Sequence, residues 1–205
     1  MFKHALTHCK KVYKSYNCKR VKCIGDILDH HRISRHTSEP DSDGAEREKM
    51  CAIQSLKPWY KAFPKVDIIL GNHDMIPYRQ AKEIGIPASY LQKIKHVYKM
   101  PKGWEFYTEI VEDNVLYMHE IGSGMYGAIN MAKRKGMSVV GGHTHTAGGI
   151  VYFRNALRLF FGMNAGCLIN KDTYAMRYTN TEPTLGCGVV YSASEAYFIP
   201  CNLKG

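Results

Sequence analysis

Apolar residues at Ala5, Leu6, Cys9, Val12, Tyr13 and Tyr16 fall on one helical stripe and predict an amphipathic helix early in the chain. Residues 21–24 read as a short strand stopped by Gly25-Asp26. Residues 30–49 are polar and charged, with a turn at Ser42-Asp43-Gly44, and predict a surface loop. A second helix follows on the stripe Ala52, Ile53, Leu56, Trp59, Tyr60 and Phe63. Pro58 lies inside that stripe and should kink or shorten the helix. Residues 66–70 form the next strand, ended by Gly71-Asn72, and a helical stretch over 77–84 breaks at Gly85-Ile86-Pro87. Strands over 105–111 and 115–118 flank a turn at Glu112-Asp113-Asn114. Residues 127–134 are helical, and 138–140 form a strand ended by Gly141-Gly142. The remainder is mostly β, at 151–153, 157–161, 188–191 and 197–199. Strands alternate with helices early and dominate late, with no linker and no repeat. The pattern predicts one α/β domain.

Composition narrows this reading. The 205 residues are 45% hydrophobic and 22% charged, enough to bury a real core and unlike a disordered chain. No apolar run is long enough for a membrane span, and the opening MFKHALTHCKK lacks the apolar centre of a secretory signal. The seven cysteines include no C-x-x-C pair, the closest two being Cys18 and Cys23, so reduced buried thiols and a cytoplasmic setting are expected. A net charge of +10 favours an anionic partner such as nucleic acid, although a lysine-decorated surface gives the same number.

Four strands end alike, with a metal-type ligand just beyond the last strand residue. They close in Gly25-Asp26, in Gly71-Asn72-His73-Asp74, in His119, and in Gly141-Gly142-His143-Thr144-His145. Ligands in open α/β sheets bind beyond the carboxyl ends of strands, and glycine there gives the backbone room for an ion or a phosphate. Each element has an ordinary reading by itself: Asp26 and Asn72 as turn residues, His119 as a hydrogen-bonded core histidine, His143 and His145 as loop histidines. Their recurrence in order is the signal. Oxygen and imidazole donors without thiolate suit Mn²⁺, with Fe, Zn²⁺, Ni²⁺ or Mg²⁺ as alternatives.

The motifs G-D-I-L-D (Gly25 to Asp29), G-N-H-D (Gly71 to Asp74), the lone His119 and G-H-T-H (Gly142 to His145) resemble those of the calcineurin-like metallophosphoesterases. The stretches LKPWYKAFP (56–64), SGMYGAIN (123–130) and FGMNAGC (161–167) are similar to the subgroup carried by bacteriophages, whose proteins work in the host cytoplasm. The resemblance covers about residues 20–200. It implies a four-layer α/β/β/α sandwich and hydrolysis of a phosphodiester, of nucleic-acid or nucleotide class, by a metal-bound hydroxide. By the same resemblance Asp26 would bridge two ions; Asn72, His119 and His143 would hold the second and His145 the first. His73 would act as general acid or transition-state donor, oriented by Asp29, for which a helix N-cap is the ordinary alternative. Asp74 is left as a supporting residue.

This sequence departs from the family pattern in its first motif. No D-x-H precedes Asp26, and His4 and His8 sit on the first helix, where they are expected to be solvated. The first ion would then keep only Asp26 and His145, and the sheet would lack a strand. An upstream start, a partner supplying the piece, or a degenerate copy would each account for this. His30 stands where relatives acting on phosphoproteins carry arginine, and Glu120 stands beside His119, where it is expected to point to solvent. The alternative function is therefore a catalytically impaired module that binds one ion, nucleic acid or both, and a third reading is a purely structural metal site.

Overall fold

The computed structural model describes residues 4–35, 44–170 and 182–201, so Ser42 and Asp43 of the expected turn lie outside the described residues. It is a mixed α/β structure with several sheets and divides into two compact units, Arg20–Tyr107 and Met1–Lys19 with Thr108–Gly205.

The Arg20–Tyr107 unit is built on a three-stranded parallel sheet of β1 (Lys22–Cys23), β2 (Val66–Ile69) and β3 (Trp104–Tyr107), with β2 in the centre. β2 is a short, mostly apolar run whose Ile68 and Ile69 are fully buried, the pattern of a parallel strand covered on both faces. The connections carry α2 (Ala45–Ala62), α3 (Ile76–Glu83) and α4 (Ile94–Val97).

Helix α2 begins at Ala45, inside the segment expected to be loop. Its first turns carry no apolar stripe, so hydrophobic periodicity does not reveal them. They are held by charge instead. Glu46 and Glu48 lie near the positive helix N-terminus, and Glu46 pairs with Lys49 at 2.6 Å. Glu48 also accepts the backbone N–H groups of His31 and Arg32 at 2.8 and 3.1 Å. The helix runs through Pro58 to Ala62 and is not shortened there. Pro58 and Gln54 are both exposed, so the Gln54 carbonyl that loses its helical donor faces water.

The second unit contains a five-stranded mixed sheet in the order β4-β5-β6-β8-β7 and a separate hairpin. Its strands are β4 (Glu109–Glu112), β5 (Val115–Met118), β6 (Ser138–Gly141), β7 (Gly148–Arg154) and β8 (Leu159–Ala165); the hairpin is β9 (Gly186–Ser192) with β10 (Glu195–Pro200). The expected strand over 105–111 is thus two strands. β3 pairs parallel with β2, and β4 pairs antiparallel with β5, with Thr108 between them. No glycine or proline marks that break, because pairing partners set it. The expected turn is present: Asp113 and Asn114 form a two-residue connection with φ of 51° and 60°, as a type I′ hairpin requires.

Helix α5 (Gly127–Lys135) lays Ala128, Ile129 and Ala132 on Leu116, Ile121, Val139 and Phe160 of this unit. It ends at Gly136 in the left-handed region (φ 64°), with Lys133, Arg134 and Lys135 at its negative end. Helix α1 (Ala5–Ser15) buries Ala5 and Val12, and its C-terminal Tyr16 carbonyl accepts the Tyr191 hydroxyl of β9 at 3.3 Å. His8 is not a solvated helix residue as expected: its Nε2 lies 3.6 Å from Cys187 Sγ. Among the described residues no helix is long and apolar enough to cross a membrane.

Helix α5 lies so close to β8 that a Cβ on Gly162 would come within 2.1 Å of the Ile129 nitrogen and 2.3 Å of the Ala128 carbonyl carbon. Gly162→Ala should therefore cost about 2–3 kcal/mol or more in urea unfolding. Gly44→Ala, with open space around it, should cost less than about 1 kcal/mol. Equal effects would contradict this packing.

Candidate metal centre

In the Arg20–Tyr107 unit, β1 and β2 run parallel in the register Lys22↔Asp67 and Cys23↔Ile68, so their C-terminal loops emerge side by side. The first loop turns through Gly25 and Asp26, both at positive φ (87° and 53°). Aspartate tolerates that region better than most side chains. The second loop carries Gly71, Asn72, His73 and Asp74. A Cβ on Gly71 would meet Asp26 Oδ1 at 2.1 Å and the Asp26 nitrogen at 2.3 Å, so glycine there permits the close approach of the two loops.

Asp74 locks them together. Its Oδ2 accepts the N–H of Asp26 and of Gly71, each at 2.9 Å, and its Oδ1 accepts that of Leu28 at 3.1 Å. Burial pushes its carboxyl above the usual range, and these donors pull it back only in part. Asp26 Oδ1 in turn accepts the His73 N–H at 2.8 Å.

His73 and Asp29 form the expected pair. His73 Nδ1–H donates to the Asp29 carbonyl at 2.9 Å and to its carboxylate Oδ1 at 3.2 Å. The carboxylate raises His73 to about 9, and the same hydrogen bond holds Asp29 below the ordinary value. His73 is consequently an imidazolium at neutral pH, with Nδ1 committed to Asp29. His30, read in the sequence only as a departure from the arginine pattern, supports it from behind. The His73 carbonyl can only accept, so His30 Nδ1–H donates to it at 2.9 Å, which leaves Nε2 to accept the Tyr98 hydroxyl at 2.8 Å. Burial pushes Tyr98 up to about 12, which keeps that hydroxyl a donor. Arg79 holds the Asn72 carbonyl at 2.6 Å.

In the other unit, β5 and β6 are parallel neighbours (Tyr117↔Val140), and each is followed within two residues by a histidine. The Gly142 N–H donates to the His119 carbonyl at 3.1 Å, and the His119 and His143 rings meet edge to face with centroids 5.2 Å apart. His119 is buried and His143 exposed. His143 takes a φ of 68°, the second candidate ligand in the left-handed region. Gly141 leaves room for Ile121, whose Cγ2 would lie 2.1 Å from a Cβ there. The His145 carbonyl accepts the Thr184 N–H at 2.8 Å. Glu120 is exposed, as expected.

Each unit thus carries donors that suit a divalent ion: the Asp26 carboxylate in one, and the His119 and His143 imidazoles in the other. The sequence missed Asp74 as a loop lock and His30 as a support. Three backbone donors on one carboxylate leave no local motif, and His30 has no signal beyond its proximity to Asp29. Compared with known proteins, the sequence matches no family model and no curated protein at a significant level.

The pair sets a pH dependence. With His73 at about 9 in the folded chain against 6.5 ordinarily, its stabilising contribution is complete below that ordinary value and is lost as pH rises through about 9. Histidine NMR of the metal-free chain should show His73 titrating near 9, and Asp29→Asn should bring it down towards the ordinary range. A His73 titration unchanged by Asp29→Asn would contradict the pairing.

Proposed function

We propose that this chain is a metal-dependent phosphoesterase, with the divalent-ion ligands that its resemblance to the metallophosphoesterases implies, Asp26, His119 and His143 among them, and with His73 donating a proton to the departing oxygen. The observation that carries this reading is the His73–Asp29 pair. It is a histidine kept protonated at neutral pH and fixed by its own backbone N–H to a candidate ligand carboxylate. A general acid needs that combination of a committed Nδ1, an orienting carboxylate and a proton available on Nε2. The donor set is oxygen and nitrogen without thiolate, which fits Mn²⁺ and its hard or borderline neighbours. When bound, such an ion supplies Lewis-acid polarisation of a phosphoryl oxygen.

The resemblance to calcineurin-like metallophosphoesterases supports the same reading and carries with it the finer four-layer sandwich. The net charge of +10 supports a polyanionic substrate, a phosphodiester of nucleic-acid or nucleotide class. A second reading, a one-ion binding module, draws support from the ligand count. In this sequence no D-x-H precedes Asp26, where the family pattern places ligands of a first ion.

The test is Mn²⁺-dependent hydrolysis of an aryl phosphodiester and an aryl phosphomonoester by the full chain. Turnover should require the metal, disappear in His143→Ala and fall by about 10²-fold or more in His73→Asn. With a nucleic-acid substrate, apparent affinity should drop steeply as salt rises. A folded, metal-loaded chain without turnover would leave the binding module as the function.

A further inference from the structure

None of the seven cysteines belongs to the proposed metal centre, and all seven are free thiols. The expectation that they are simply buried does not hold, since Cys51 is exposed, Cys201 is buried and the other five lie between. Four of them gather in one unit. Cys9 sits on α1 between the buried Ala5 and Val12, on the stripe that faces its own unit. Cys187 lies on β9, paired in register with Ile199 of β10. Cys201 follows β10, where its N–H donates to the Leu185 carbonyl at 2.9 Å, which places it diagonally from Cys187 on the hairpin. Cys18 follows α1, its N–H held by the Tyr13 carbonyl at 3.0 Å.

Within this group Cys187 is singular. The Cys9 thiol hydrogen-bonds its sulfur, and His8 Nε2 lies 3.6 Å from it. The hydrogen bond from Cys9 holds Cys187 below the ordinary thiol value, while burial pushes Cys18, Cys23, Cys167 and Cys201 up. A thiol beside an imidazole, half-buried and hydrogen-bonded by a second thiol, has the parts of a peroxide-reactive cysteine with its resolving partner.

We propose that Cys187 and Cys9, flanked by His8, form a peroxide-reactive thiol pair that closes to a disulfide and pins α1 to β9. The Cys187 sulfur attacks one oxygen of hydrogen peroxide and the O–O bond breaks. The departing hydroxide leaves as water with the proton that Cys187 gave up, and Cys187 becomes a sulfenic acid. The Cys9 sulfur then attacks Cys187 Sγ. The S–S bond forms, the S–O bond breaks, and hydroxide leaves with the Cys9 proton as a second water. Two thiols are oxidised by two electrons in all, and one peroxide is reduced to two waters. The link joins two elements far apart in sequence, so it removes much freedom from the unfolded chain.

The experiment treats the reduced full chain with a small excess of hydrogen peroxide, blocks remaining thiols, and maps the peptides without reduction. The expected result is a Cys9–Cys187 linked peptide, two hydrogens lighter than its parts and reversed by dithiothreitol. The oxidised chain should melt about 5 °C higher or more. Cys9→Ser should leave a sulfenic acid at Cys187 that dimedone traps, and His8→Ala should slow the oxidation several-fold. Oxidation confined to the exposed Cys51, or a dominant Cys187 link to Cys18 or Cys201, would overturn the proposal. Should Cys9→Ser fail to fold, the peptide map of the unmodified sequence decides alone.

Discussion

The Asp74 carboxylate is wholly buried and is met by three backbone N–H groups, from Asp26, Leu28 and Gly71. Burying a carboxylate costs several kcal/mol unless donors replace its water, and here those donors come from two loops at once. The loop after β1 and the loop after β2 therefore fold as one unit. The absence of a side chain on Gly71 lets them touch, and the Asp74 oxygens fix where they touch. What this produces is a second carboxylate, Asp26, held at the sheet end with His73 bonded to it.

Backbone strain follows the same logic. Asp26 and His143 are both non-glycine residues at positive φ, a conformation that costs of order 1–3 kcal/mol and persists only where neighbours over-determine it. Asp26 is pinned by Asp74. His143 follows Gly142, whose N–H is held by the His119 carbonyl and whose carbonyl accepts the Thr144 N–H at 2.8 Å. Strain at two candidate ligands, each held by a different set of hydrogen bonds, is what pre-organisation looks like in a backbone.

The strand-end glycines with their Asp, Asn and His residues were legible in the sequence, because a sheet that runs parallel must present its loops at one end. The stripe of α2 from Ala52 to Phe63 was legible for the same kind of reason, since it faces a core. The charged start of α2 was not, as its stability comes from Glu46 and Glu48 and leaves no apolar period. The division of 105–111 at Thr108 was hidden because partner strands far away in sequence impose it. Asp74 was visible as a residue but not as a lock, since its function lies in three backbone groups that any sequence would possess. His8 was read as a solvated helix residue because its partner, Cys187, is remote in the chain and close only in the fold.

The central proposal is that this chain binds a divalent ion, for which the resemblance implies Asp26, His119 and His143 among the ligands. Titration of the metal-free chain with Mn²⁺, followed by the loss of the free-ion EPR signal, tests it without requiring turnover. One tightly bound ion per chain is expected, with affinity lowered by at least about tenfold in Asp26→Asn, in His119→Ala and in His143→Ala, and unchanged in His4→Ala. Mn²⁺ binding that survives all three substitutions, or no binding by the folded chain, would contradict it.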